Sequence, residues 1–242
     1  MNKNAILRQI VLLGAVAIFL FYPFFLQGEE LRPVTVLQPM PDFSLPAYQG
    51  GEVSISALKG KNVLLIFPRG LAGENHWCHI CNYQYEELAE LEMQQGIRKM
   101  FNLEILFVLP YGKAMVDDWV AKFPDQFSDI AGWKNPPDQD ELDERGKQRL
   151  EMVKKLFPKN YSFEKGKVPL PLPVLIDDGA KVSKGLGLFT TEWGGSKIEQ
   201  NVPTIYIIDT KGVVRFKYIS QNTFDRPSAE YLVNFLRMMA AQ

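Results

Sequence analysis

Cysteine and histidine are scarce in this chain of 242 residues, with two of each. Two cysteines exclude a small disulfide-stapled scaffold, so if they act they act as one pair. An excess of charge is also missing. Lys and Arg number 27 against 28 Asp and Glu, a net charge of −1. Nothing is left over to neutralise a phosphate backbone, which excludes nucleic acid as a partner class. Repeats and low-complexity tracts are absent, and a mean hydropathy of −0.11 excludes a polytopic membrane protein. What is present is ordinary globular composition, 46% apolar and 23% charged, in a length that suits one or two domains.

Charge is missing locally as well. No charged residue lies between Arg8 and Glu29, and residues 9–28 read QIVLLGAVAIFLFYPFFLQG. A helix of that length spans roughly 30 Å, the thickness of a bilayer's hydrocarbon core. Lys3 and Arg8 precede the run and Glu29 and Glu30 follow it, so the positive-inside rule places the N-terminus in the cytoplasm and the remainder outside, in the periplasm of a bacterium. The expectation is a single-pass transmembrane anchor over residues 1–28, a proline-bearing tether over 29–40 and one domain over 41–242. A cleaved signal peptide competes, although only Gly28 is small among the residues before a cut. A buried core helix is the third reading. No cysteine follows the run, which excludes lipoprotein processing.

After the tether, Gln49-Gly50-Gly51 breaks an alternating stretch and predicts a hairpin. The apolar runs Asn62–Phe67 and Leu103–Leu109 predict buried strands. Residues 81–93 carry Tyr85, Leu88, Ala89 and Leu91 at helical spacing, and Lys113–Phe123 also reads as helix. Val174–Asp177 predicts a strand, and Ala180–Leu186 a short helix. Thr204–Asp209, a Thr210-Lys211-Gly212 turn and Val213–Ile219 predict a second hairpin. Ser228 is placed to cap a last helix with Tyr231, Leu232, Phe235 and Met239 on one face. Strands alternating with helices before a closing hairpin argue for an α/β sandwich around a mixed sheet. The segment 124–172 stands apart as a solvated helical insertion. There Glu141/Arg145, Asp143/Lys147 and Glu151/Lys155 are spaced i, i+4 with the acid first.

All four cysteines and histidines fall in six residues, His76-Trp77-Cys78-His79-Ile80-Cys81. A Cys-x-x-Cys at a strand-to-helix junction has a physical logic. The first sulfur sits at a helix N-terminus, where free N–H groups and the macrodipole favour an anion, and the thiolate is the nucleophile. The second thiol, one turn along, can attack a mixed disulfide formed on the first. Inert core thiols are one alternative. Zinc or copper ligation is another, disfavoured because ligands packed into one helix start rarely close a tetrahedron. A c-type haem site needs His after the second Cys, and position 82 is Asn. The expected cofactor and metal content is none.

Six stretches together resemble the thioredoxin-fold redoxins, in particular the alkyl hydroperoxide reductase/thiol-specific antioxidant (peroxiredoxin-like) family. They are Pro41-Asp42-Phe43-Ser44-Leu45-Pro46; Val53 to Lys61; Phe67-Pro68-Arg69-Gly70; Trp77-Cys78-His79-Ile80-Cys81-Asn82; Val202-Pro203-Thr204 leading to Asp209 and Gly212; and the ending from Tyr218. The resemblance implies a thioredoxin-like three-layer sandwich. It implies Cys78 as attacking thiolate and Cys81 as resolving thiol, with His79 tuning Cys78, Trp77 shaping the contact surface and Arg69 stabilising a thiolate or bound anion. Pro203 would be cis, and with Val202 would form the edge on which a partner docks.

The sequence also departs from that family. Leu71–Asn75 separate the Arg-Gly from the Trp-Cys, and Asn75 stands where peroxiredoxins carry a hydroxyl. Ile66 takes the place of thioredoxin's buried acid, which leaves Glu74, Glu86 and Glu87 as candidate proton acceptors for Cys81. The expected activity is thiol–disulfide exchange with a dithiol or disulfide partner protein. The alternatives are a thiol peroxidase acting on hydroperoxides and a non-catalytic tethered binding module.

Overall fold

The computed structural model describes residues 33–241. The expected membrane anchor at 1–28 lies outside the described residues. Among those described, no helix is long and apolar enough to cross a membrane.

The two strongest apolar runs form the centre of the sheet. β3 (Asn62–Phe67) lies parallel to β6 (Leu103–Leu109), with Leu64 opposite Ile105. Both read as continuous apolar runs because both faces of a central strand are buried. β7 (Val174–Ile176) adds parallel to β6, and β10 (Thr204–Ile208) adds antiparallel to β3 with Tyr206 opposite Leu65. β11 (Val214–Ile219) pairs antiparallel with β10, giving the order β11-β10-β3-β6-β7 and a mixed sheet, as expected. The β1–β2 hairpin (Ser44–Pro46, Glu52–Ser54) forms as the glycines predict.

Alternate residues of the central strands feed two cores. Leu64, Ile66, Ile105, Phe107 and Ile207 face helices α1 (His79–Gln95), α3 (Lys113–Ala121), α4 (Phe123–Lys134) and α7 (Ala229–Ala240). α2 (Ile97–Met100) is a single turn after Gly96. Val63, Leu65, Phe67 and Tyr206 face the other way, onto Met40, Leu45, Ile55, Leu186 and Leu188. This second layer is therefore the N-terminal hairpin and the stretch around the short α6 (Lys181–Gly185), not a helical layer of equal depth.

Three sequence expectations are corrected in detail. Residues 37–40 do not hang free as a tether. Leu37 N–H donates to Val214 O (2.8 Å), Met40 N–H donates to Gly212 O (2.9 Å), and Met40 is buried, so this stretch covers the outer edge of β11. On α7, Ser228 is the N-cap, accepting from Tyr231 N–H, but Tyr231 itself points outward at 53% exposure while Val233 and Leu236 are buried. In the insertion, only α5 (Glu144–Leu156) is the solvated helix foreseen. None of its three expected ion pairs forms. Asp143 is the N-cap, accepting from Gly146 N–H (2.7 Å), and Lys147 pairs with Glu144 (3.1 Å) instead. The rest of the segment packs. The Lys134 ammonium donates to Lys159 O (3.0 Å) and to Asn160, drawing Phe157 and Tyr161 onto Tyr83 of α1 at ring separations of 5.0 and 5.4 Å.

Candidate active site

β3 ends at Phe67, and the chain then makes the turn that brings Cys78 to the start of α1. Gly70 sits at φ +79°, and a Cβ there would lie 2.5 Å from the Tyr111 ring, so only glycine fits. The Tyr111 hydroxyl accepts from Leu71 N–H and donates to Glu199 O, both at 2.9 Å. The residues between Arg-Gly and Trp-Cys are not a loose loop. They form a small hairpin of β4 (Leu71–Gly73) and β5 (His76–Trp77), and Asn75 holds its turn at φ +54°. Cys78 N–H closes the turn onto Gly70 O (2.9 Å).

Cys78 is the N-cap of α1 and Cys81 lies one turn in, as the spacing predicts. No disulfide joins them, and their sulfurs are 2.7 Å apart. Cys78 is 6% exposed and Cys81 1%. The surroundings of the two differ. The Cys78 sulfur makes no capping hydrogen bond, whereas the Cys81 sulfur accepts from Arg69 N–H (3.3 Å). The hydrogen bond to Cys81, and then burial, push the Cys78 thiol up. Burial pushes Cys81 up too, but the Cys78 hydrogen bond, the Arg226 charge and the Arg69 N–H outweigh it and hold Cys81 below the ordinary thiol range.

Arg69 is buried. Its Nε donates to Gln200 Oε1 (2.7 Å) and its Nη2 to Trp193 O (3.1 Å) and Ser196 Oγ. This ties the signature loop to the stretch before β10, and the guanidinium stands 5.2 Å from the Trp193 ring centre. The sequence placed Arg69 near the thiols and the structure agrees, though its backbone N–H is the group that touches sulfur.

The other supporting residues are corrected. Trp77 does not shape a contact surface. It is 1% exposed, with Nε1 donating to Asp118 Oδ2 (2.7 Å) and its ring edge-on to Tyr111 (5.5 Å). His79 does not act as an imidazolium beside Cys78. It is buried, its Nε2 pairs with Asp129 Oδ2 (3.2 Å), and its ring lies against Trp133 (4.5 Å). Burial lowers its pKa, opposed by Asp129. Pro203 is trans, since no cis peptide occurs among the described residues. The chain reaches it already extended from β9 (Gln200–Asn201), which pairs with β8 (Phe189–Thr190). The same pairing closes the expected docking edge: Val202 N–H donates to Leu188 O (2.7 Å), and Val202 O accepts from Thr204 Oγ1 (2.9 Å).

Cys78 and His79 line a cleft of about 760 Å³. The insertion contributes Trp133, Leu150, Met152 and Phe157 to its lining, and Phe224 joins them. Trp133, Met152 and Phe224 are each more than 40% exposed, an unusual gathering of large apolar side chains beside a thiol pair. Among the described residues no set of three His, Cys, Asp or Glu side chains is arranged to hold a metal. Of the candidate proton acceptors, Glu74 is exposed in the β4–β5 turn. Glu86 and Glu87 are raised to about 7 by burial, and neither is among the groups that bear most on the sulfurs.

Sequence reasoning missed Arg226. Its side chain is 6% exposed, its Nη1 donates to Ser220 Oγ (2.8 Å) and Asp225 O (3.1 Å), and its charge bears on both sulfurs. Nothing in the local Asp-Arg-Pro-Ser run marks it, because it reaches the site only through the return of β11.

A family model described as the AhpC/TSA family matches residues 36–131. No curated protein matches the chain. Among solved structures, a cysteine-to-serine mutant of the peroxiredoxin 6 of Arenicola marina superposes with a TM-score of 0.54 at 12% identity, covering 86% of this chain and 76% of that one. The reduced 2-Cys peroxiredoxin of Plasmodium vivax gives 0.50 at 17% identity, covering 86% and 83%. At such identities the structures establish the fold alone. With the family match they support a thioredoxin-fold redoxin, an α/β chain with a thioredoxin-like mixed sheet.

Proposed function

We propose that this chain is a thiol–disulfide oxidoreductase, held at a membrane by residues 9–28 with its domain outside the cytoplasm. The observation that carries the reading is the pair of sulfurs 2.7 Å apart, with Cys78 in the wall of the apolar cleft and Cys81 sealed behind it. Cys78 attacks a disulfide of a partner protein, forming a mixed disulfide and releasing one partner thiolate. Cys81 then attacks the Cys78 sulfur, the Cys78–Cys81 bond forms, and the second partner thiolate leaves. Two electrons pass from the pair to the partner, or the reverse when the pair starts oxidised.

The test is trapping. Cys81→Ser accumulates mixed disulfides through Cys78, and Cys78→Ser abolishes exchange. Trapping by Cys78→Ser alone reverses the roles, and a Cys78 inert to alkylation leaves a non-catalytic binding module. A reporter fused after Gln242 tests the location; activity in the cytoplasm overturns it.

A second reading is a thiol peroxidase, favoured by the AhpC/TSA family match. A hydroperoxide would oxidise Cys78 to sulfenic acid with release of an alcohol or water, and Cys81 would condense with it, releasing water. The exposed Asn75 in place of a hydroxyl weakens this reading. Peroxide consumption by the reduced protein separates the two.

A further inference from the structure

The insertion lines the cleft that holds Cys78, and it brings a chemistry of its own. Helix α5 has no buried residue. Gly146, Arg149, Leu150, Val153 and Phe157 recur at i, i+3, i+4, i+7 and i+11, which is one helical face, and all five line the cleft. The other cations of α5, Arg145, Lys147, Lys154 and Lys155, do not. Among the described residues the one ion pair on α5 joins Lys147 to Glu144, so the exposed Arg149 guanidinium has no acidic partner. Among the described residues no Asp or Glu lines the cleft either, whereas Arg69, Arg149, His76 and His79 do. Arg69 is spent on Gln200, Trp193 and Ser196, which leaves Arg149 as the cation free to meet an anion.

The apolar part of the lining is already in place. Trp133, Met152 and Phe224 are 43%, 44% and 53% exposed, and the Trp133 ring is held against His79 at 4.5 Å and Phe157 at 6.3 Å. Large apolar side chains gathered in water and fixed by their neighbours are what a recognition surface presents. The alternative route of docking is shut. The Val202 N–H that an extended partner strand would need is spent on Leu188 O at 2.7 Å. That leaves recognition by side chains on the cleft wall. At about 760 Å³ the cleft is far larger than one cysteine side chain, and its size suits a drug-sized ligand, the equivalent of a few residues of peptide.

Resting on the disulfide-exchange reading, we propose that the cleft is a subsite for a partner segment whose disulfide-bonded cysteine stands within a few residues of a large apolar side chain and a carboxylate. The apolar side chain covers Trp133, Met152 and Phe224, and the carboxylate faces Arg149. The chemistry at sulfur is unchanged. A bond forms between Cys78 and the partner cysteine, the partner S–S bond breaks, and its second sulfur leaves as the thiolate. The subsite sets which disulfide reaches Cys78. A cationic segment is refused, because Arg149 repels it and no carboxylate in the lining offsets the charge. The insertion thereby acts as the wall that selects the partner.

The test uses the reduced full chain in detergent micelles. Its substrates are end-blocked peptides whose cysteine is held as a pyridyl disulfide, flanked by Phe or Ser on one side and by Glu, Gln or Lys on the other. Release of thiopyridone gives the second-order rate constant. Phe should be preferred over Ser roughly tenfold, from burial of the ring. Glu should be preferred over Lys about fivefold, the size of a solvent-accessible ion pair, and the preference should fade at high salt. Arg149→Glu should reverse the order of Glu and Lys, and Met152→Ser should weaken the preference for Phe. Both variants should react with hydroxyethyl disulfide, which is small and neutral, at the parent rate. Equal rates for all flanking residues, or an unchanged order in Arg149→Glu, overturn the subsite and leave exchange standing. So does an Arg149→Glu chain that is slowed on hydroxyethyl disulfide as much as on the peptides, because the charge then acts on Cys78 itself. Two other occupants would also overturn it: an acyl chain, shown by laurate blocking exchange without any flank preference, or a second copy of the chain, shown by a dimer that Met152→Ser dissolves. If no disulfide reacts, hydroxyethyl disulfide included, the exchange reading fails and the subsite falls with it.

Discussion

Glu86 offers a direct test of how burial governs charge in this fold. It lies on α1 at 3% exposure, and its Oε2 has no hydrogen-bond partner among the described residues. Burial, with a smaller push from Glu90, raises its pKa from 4.5 to about 7. The folded state therefore holds a proton that the unfolded chain releases between pH 4.5 and 7. Stability linked to this group is fully present below pH 4.5 and is lost as pH rises through about 7. A rise of that size is worth about 3 kcal/mol. Gln mimics the protonated acid in shape and neutrality, so Glu86→Gln should match wild type near pH 5 and exceed it by about 2–3 kcal/mol at pH 8.5. Guanidinium unfolding of both reduced proteins at the two pH values measures the difference. A Glu86→Gln advantage that is equal at pH 5 and pH 8.5, or absent at both, refutes the argument, because only a pH-dependent difference reports a buried charge.

Two further outcomes follow from the same coordinates. Gly70→Ala forces a side chain into both a left-handed backbone and the Tyr111 ring, and should destabilise by at least about 2 kcal/mol in thermal unfolding; an unchanged melting temperature contradicts the contact. Burial lowers the His79 pKa below its unfolded value, so wild type loses stability as pH falls below about 6.5. His79→Ala should reduce that acid-side loss while leaving the Cys78 titration above pH 7 unmoved; a Cys78 midpoint that rises in His79→Ala would restore the imidazolium role.

The fold was legible where one rule decided an element. Asn62–Phe67 and Leu103–Leu109 are apolar at nearly every position because both their faces are covered. Gln49-Gly50-Gly51 and Lys211-Gly212 announce hairpins through backbone chemistry alone. The reading faltered where an element is too short to show a pattern or its partner lies far away in sequence. β4–β5 and β8–β9 are two or three residues long and exist because they pair across a turn, with too few residues to show any period. Phe157 and Tyr161 read as part of a solvated segment, since the Lys134 amine that gathers them stands more than 20 residues earlier.

The same division runs through the site. Cys78 and Cys81 were found because the spacing of a nucleophile and its resolver along one helix start is written in adjacent residues. Their electrostatics were not, because charge acts through space. The helix terminus and His79 suggested that Cys78 would carry the negative charge, and each suggestion was local. In the folded chain the Cys78 sulfur makes no capping hydrogen bond, and His79 turns to Asp129 and Trp133. The N–H that meets a sulfur comes from residue 69, and a charge that bears on both sulfurs comes from residue 226. Arg226 is placed by the turn after β11, which no pattern within the Cys-x-x-Cys stretch could specify.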